Sequence, residues 1–285
     1  MFEIITKELV QEILPKRNQN SNKGDFGKVL NIVGSGKYLG AGILASLASL
    51  RVGAGYSIFC SCEEIIKSCA NFSPDLVYKS HGDFDIEIVK NIIERENISA
   101  IVLGCGISTS EKVISFIDKI TDYIKDKNIK CVIDADGLNC ISALNKTNLG
   151  DNFILTPHPK ELSRLMNKEV DEIQEKREYY ALLAQEKFNC TVILKGYNTL
   201  IATQEKTLYK NVTGNSTLAK AGTGDVLAGM IGGFLAQKSS LRNAGILAVY
   251  MHGLAAEIYS NEYSEYSMLA SELLNYIPLA IKLCK

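Results

Sequence analysis

From Lys28 onward the chain alternates short apolar runs with helical patterns, and almost every run stops at a glycine or a polar cluster. The runs occupy 28–34, 56–60, 76–80, 100–106, 130–137, 152–159 and 191–196. They are too short for ordinary helices and too uniformly apolar for strands with one wet face. That pattern belongs to strands buried on both sides of a parallel sheet. Helical patterns separate them at 43–54, 62–70, 86–96, 111–127, 138–144, from 160, and across 170–188. Residues 198–203 and 206–212 read as a hairpin pair, and two last helices cover roughly 244–260 and 268–285. Such alternation predicts an α/β fold with a single doubly wound, mostly parallel sheet flanked by helices. Residues 1–22 read as a short helix and a polar connector. No composition shift or flexible linker divides 1–285, so the expectation is a single domain.

Bulk charge narrows the function. The 285 residues carry 31 basic and 32 acidic side chains, a net charge of −1, so neither a nucleic-acid surface nor a polybasic membrane patch is expected. No apolar run reaches membrane-spanning length. The N-terminus has acidic residues within an amphipathic pattern instead of a signal's basic start and apolar core. A cytoplasmic location is expected. Eight cysteines occur without a Cys-x-x-Cys spacing, and the three histidines lie far apart. Buried reduced thiols are expected, and neither a metal cluster nor a histidine-based triad.

In doubly wound sheets ligands bind beyond the carboxyl ends of the strands. The glycine-rich and polar clusters at 34–42, 104–108, 134–139, 156–161, 195–199 and 222–225 all fall at such ends. Gly34-x-Gly36 is followed by Gly40, one residue too late for a dinucleotide fingerprint, and no Gly-Lys-Ser/Thr completes a phosphate loop. Close backbone approach to a ligand, with Ala41 on the wall, and tight strand-to-helix packing explain these glycines equally. Gly104-Cys105-Gly106 admits a ligand or is a sharp turn. Asp134, Asp136 and Asn139 suit a nucleotide or Mg²⁺ held through water; the alternative is an Asx turn with a helix cap. Pro157 and Pro159 rigidify His158, with Glu161 in the next helix's first turn. Lys195-Gly196 could reach a phosphate, or Lys195 is a solvated lysine at a turn.

The stretch from Asn211 to Phe234 carries the most chemistry. Ala221-Gly222-Thr223-Gly224 is nearly free of side-chain bulk, and Val226, Leu227, Met230, Ile231 and Phe234 recur at helical spacing. A helix N-terminus behind small residues offers unpaired N–H groups to an anion, so Gly222, Thr223 and Gly224 form a candidate anion hole. A carboxylate there repels a bound phosphate and needs another purpose. Asp225 is read as a general base for a substrate hydroxyl, against the alternative of a plain N-cap.

Six segments, KGDFGKVLNIVGSGKYLGAG, VLGCG, VIDADGLN, TPHPKE, LKGYNT and GNSTLAKAGTGDVLAGMIGG, occur in this order. Together they resemble the ADP/ATP-dependent NAD(P)H-hydrate dehydratases of the ribokinase-like superfamily, from about Lys23 to Tyr276. The resemblance implies a metabolite-repair lyase that returns (6S)-NADH or NADPH hydrate to NAD(P)H. ADP, placed ahead of ATP, would phosphorylate the ring hydroxyl with Mg²⁺ present, leaving AMP, and phosphate would then depart. By similarity Asp225 is catalytic. Ala41, Gly106, His158 and Asp225 would contact the hydrated dinucleotide. Lys195, Gly196, Tyr197, Asn198, Thr199 and Gly224 would hold the nucleotide, and no protein metal ligand is assigned. The sequence departs from the family where Cys105 replaces a common proline and Ala221 a common glycine. A homotetramer is implied. The 22 residues before Lys23 are too few for the epimerase domain some members carry, so a separate epimerase is expected. The competing reading is a vitamin-precursor kinase of the same superfamily, which shares Asp225 and the anion hole. A non-catalytic nucleotide-binding module is the third.

Overall fold

In a computed structural model describing residues 2–285, ten strands form one sheet. In chain order the strands are β1 (Glu3–Ile4), β2 (Lys28–Ile32), β3 (Tyr56–Ser61), β4 (Val77–Ser80), β5 (Ala100–Leu103), β6 (Lys130–Ile133), β7 (Phe153–Leu155), β8 (Thr191–Leu194), β9 (Leu200–Ala202) and β10 (Leu208–Lys210). Their spatial order is β1-β10-β9-β8-β7-β6-β5-β2-β3-β4. Every pairing is parallel except those of β9, which runs antiparallel to β8 and β10. The expected sheet, with its hairpin pair, is therefore present.

The helices are α1 (Lys7–Ile13), α2 (Leu39–Arg51), α3 (Glu63–Cys69), α4 (Ile86–Glu96), α5 (Glu111–Asp126), α6 (Asp136–Ala143), α7 (Pro159–Met166), α8 (Val170–Glu175), α9 (Arg177–Phe188), α10 (Thr223–Ala236), α11 (Leu241–Glu262) and α12 (Ala270–Leu283). They cover both faces. Val29, Phe59, Val102, Val132, Ile154 and Ile193 pack towards the side of α2, α10, α11 and α12. Their strand neighbours Leu30, Ile32, Ile58, Ile101, Leu103, Ile133 and Leu155 pack with residues of α4, α5, α6, α7 and α9. Alternate residues thus point to opposite cores, and both cores are apolar. Helix α10 lies close on α2: a Cβ on Gly229 would stand 2.0 Å from the Ala45 carbonyl oxygen.

Two expectations about elements need correction. Residues 170–188 are not one helix. The chain breaks at Lys176 (φ −127°, ψ 44°), and Arg177 then donates to the carbonyls of Leu194 and Lys195. The N-terminal segment also contributes β1, a two-residue strand pairing with β10.

Strand order reverses direction between β2 and β5: β3 and β4 follow β2 on one side, then β5 opens the other. The loops leaving β2 and β5 therefore separate and leave a crevice between them. The Gly34 N–H donates to the Cys105 carbonyl at 2.9 Å, tying the two loops at their bases.

Candidate active site

The crevice is ringed by the loops after β2, β5, β6, β7 and β8 and closed by the N-terminus of α10. Beside it lies a cavity of about 820 Å³. Its wall includes Asp134, His158, Glu161, the 195–199 loop, the 211–216 segment, and Lys220 to Asp225. Asp225 is the third residue of α10, whose N-cap is Gly222 in a left-handed conformation (φ 96°). The plain N-cap reading of Asp225 thus fails. A Cβ on Gly222 would come within 2.7 Å of Leu44 and 2.9 Å of Ala270, so the first turn sits against α2 and α12 at a spacing only glycine allows. That turn is held from behind by His252, whose Nε2–H donates to the Thr223 carbonyl at 2.9 Å. Burial drives the His252 pKa down to about 4, which keeps the ring neutral.

The acid pair at 134–136 separates in space. Asp134 is buried and accepts a hydrogen bond from Lys195 Nζ at 2.6 Å. Asp136 instead accepts from the Ser108 N–H at 2.8 Å and from Asn139, which joins the β5 and β6 loops. Between them Ala135 takes φ 51°, a conformation alanine rarely adopts, which turns the two carboxylates apart. Lys195 also lies 3.8 Å from Glu161. Burial works against its ammonium, yet the Asp134 and Glu161 carboxylates more than offset this and hold its pKa above the ordinary value. The alternative of a solvated lysine at a turn is therefore excluded: Lys195 is the cation of a buried ion cluster.

His158 is the N-cap of α7. Its Nδ1 accepts from the Glu161 N–H, and Glu161 accepts from the His158 N–H at 2.8 Å. The ring stays half exposed at the cavity rim. Burial, then the Lys195 charge, lowers its pKa. Burial pushes the Glu161 carboxyl up, to about 7, against the pull of Lys195. Glu161 was read from sequence only as a first-turn acid; its position behind Lys195 is a long-range contact with no local signal.

Asp225 faces Asp134 and Cys105. One ligand atom of each lies within 4.8 Å of the others. Burial pushes the Asp225 carboxyl up to about 6, and the Asp134 charge adds to this. Gly224 stands over the cluster: a Cβ there would lie 3.4 Å from Lys195 Nζ and 3.8 Å from Asp134. Ala41 and Gly106 meet one another where α2 packs on the loop after β5, with a Cβ on Gly106 placed 3.1 Å from the Ala41 Cβ and 2.7 Å from that of Tyr38. They do not line the cavity. The 195–199 loop lines it, with Tyr197 largely exposed. The structure therefore divides the sequence-predicted residues into two groups: Ala41 and Gly106 lie outside the cavity, whereas His158, the 195–199 loop, Gly224 and Asp225 are on its wall. All eight cysteines are free, seven of them buried.

A family model described as NAD(P)H-hydrate dehydratase matches residues 29–279. The ADP-dependent (S)-NAD(P)H-hydrate dehydratase of Bacillus subtilis is 33% identical over 278 residues, covering 96% of this chain and 95% of that protein. The chain belongs to the NAD(P)H-hydrate dehydratase family. A crystal structure of the ADP/ATP-dependent dehydratase from Bacillus subtilis, co-crystallised with ATP/Mg²⁺, superimposes with a TM-score of 0.88 at 32% identity, over 100% of this chain and 99% of that one. The bifunctional NAD(P)H-hydrate repair enzyme of Dictyoglomus turgidum is 33% identical over 98% of this chain. This chain spans about half of such bifunctional dehydratase relatives, 55% of that one. Among the described residues no helix is long and apolar enough to cross a membrane.

Proposed function

We propose that this protein is the ADP- or ATP-dependent dehydratase that returns (6S)-NAD(P)H hydrate to NAD(P)H. The observation that carries the reading is Asp225: an acid in the first turn of an N-terminal anion hole, its pKa lifted to about 6, facing a crevice on one side and a cavity on the other. The cavity, with the 195–199 loop, Gly224 and Lys195, takes the nucleotide. The hydrated dinucleotide lies towards Ala41 and Gly106, with His158 at the rim.

Asp225 takes the proton of the ring hydroxyl, and that oxygen attacks the terminal phosphorus. The bond to the next phosphate breaks, leaving AMP from ADP or ADP from ATP. The N–H groups at the start of α10 and the Lys195 ammonium offset charge on the transferring group. The ring–oxygen bond then breaks, phosphate leaves, and loss of a proton from the neighbouring ring carbon re-forms the double bond.

Mg²⁺, held by the nucleotide's own phosphates, would supply charge neutralisation there. Among the described residues no dedicated cage is present: Asp134 is engaged by Lys195, Asp136 by Ser108 and Asn139, and of the other candidate donors Asp225 is the base proposed above and Cys105 a thiol, a poor ligand for a hard cation. A homo-oligomer fits the apolar side chains exposed near the C-terminus, Leu269, Leu279 and Leu283.

A vitamin-precursor kinase and this dehydratase differ in where the phosphate ends. Product analysis of hydrated NADPH incubated with ADP and Mg²⁺ should give free phosphate and AMP in equal amounts, with NADPH. A stable phosphorylated product would overturn the reading in favour of the kinase.

A further inference from the structure

Gly106 stands against Ala41 because the loop after β5 keeps an unusual path, and that path is held at both ends. At one end a Cβ on Gly104 would stand 2.2 Å from the Asp134 carbonyl oxygen and 2.7 Å from the Gly137 nitrogen, so two backbones meet with no side chain between them. At the other end Ser108 takes φ 72°, a left-handed conformation that a serine keeps only where its surroundings impose it. Helix α6 imposes it. The Asp136 carboxylate accepts the Ser108 N–H at 2.8 Å, and the Cys140 thiol, one turn further along α6, donates weakly to the Ser108 carbonyl at 3.9 Å. Gly106 (φ 69°) lies between these two anchors, with Tyr38 and Ala41 against it. Asp136 is itself held. Its other oxygen accepts from the Asn139 amide at 3.3 Å, and the Asn139 oxygen accepts from Arg164 at 2.8 Å. Arg164 belongs to α7, the helix that His158 caps. A hydrogen-bonded chain from Arg164 through Asn139 and Asp136 to Ser108 thus joins the helix behind His158 to the loop of Gly106. A first-turn acid needs no partner to favour its helix; this one reaches 28 residues back to another loop.

We propose that Asp136 is a positioning residue for the hydrated dinucleotide: by holding Ser108 it sets the place of Gly106, and with it the wall that this substrate meets. The inference rests on the reading of the reaction above, with Gly106 and His158 as contacts of the dinucleotide. The two acids of the 134–136 pair then serve different substrates. Asp134 holds Lys195, which is on the cavity wall, whereas Asp136 holds a loop that lies outside the cavity. Loss of Asp136 should therefore be felt by the dinucleotide and not by the nucleotide.

The test measures kcat and the KM of each substrate for wild type, Asp136→Ala and Asp136→Asn in the full chain, from the nucleotide-dependent recovery of reduced nicotinamide. Asp136→Ala frees Ser108 to leave its left-handed conformation. It should raise the KM for hydrated NADPH roughly tenfold, with the KM for ADP unchanged. Asp136→Asn keeps an oxygen for the Ser108 N–H but replaces the carboxylate by an amide, a weaker acceptor. It should raise the same KM only about two- to threefold. A merely structural role would lower the thermal midpoint and leave the ratio of the two KM values alone. Folded Asp136→Ala protein with both KM values unchanged, or with both raised together, would overturn the proposal. Should that variant not fold, Asp136→Asn decides by the same ratio. Wild-type protein that restores no reduced nicotinamide from hydrated NADPH would overturn the reading of the reaction, and the proposal with it; an active wild type whose variants show no such split overturns the role of Asp136 alone.

Discussion

Asp225 is the residue on which most of the chemistry turns. A base works deprotonated, so with its carboxyl lifted to about 6 the rate should climb as pH rises through that value and fall away below it. An acid limb at an ordinary carboxylate value would contradict the burial argument. Asp225→Asn should lose on the order of 10²–10⁴ in kcat while still folding and binding nucleotide. Lys195 makes a different claim. Lys195→Met removes the partner of buried Asp134, so it should cost about 3–5 kcal/mol of stability in a denaturant titration, as well as raising the KM for nucleotide. The sequence made Asp225, Lys195 and His158 legible because each stands in a local pattern of glycine or proline that needs explaining. It did not reveal that Lys195 pairs with Asp134, that His252 braces Thr223, or that Cys105 faces Asp225. Those contacts join residues 29 to 120 positions apart, and no local spacing encodes them.

Among elements, α10 carries the site. Its small residues serve two ends: Gly222 and Gly224 leave the N-terminus free of side-chain bulk, and Gly229 lets the helix lie on α2. Gly229→Ala would drive a methyl group into the Ala45 carbonyl at 2.0 Å. The expected cost is about 1–3 kcal/mol, read as a lower thermal midpoint, with activity falling because Asp225 moves with the helix. An unchanged midpoint would mean that the two helices can separate freely. The buried strands were readable because continuous apolar runs bounded by glycine have few other uses. The break at Lys176 was not, since residues 170–188 contain neither glycine nor proline. Its position goes with a tertiary contact, Arg177 reaching the carbonyls that precede Gly196. Strand β1 is two residues long and exists only through pairing with distant β10.

At the scale of the molecule, the reversal of strand order between β2 and β5 puts the six polar clusters around one crevice. The α/β alternation foretold that the clusters share an end of the sheet; it did not say that the 195–199 loop would share a cavity with Asp225 while Ala41 and Gly106 lie outside it. That division suits a reaction with two substrates meeting at one carboxylate. The most direct test is to incubate the protein with hydrated NADPH and Mg²⁺, adding ADP, ATP or neither, and to follow the near-ultraviolet absorbance of reduced nicotinamide. The account predicts recovery only when nucleotide is present. Folded protein that restores no absorbance with either nucleotide would contradict it.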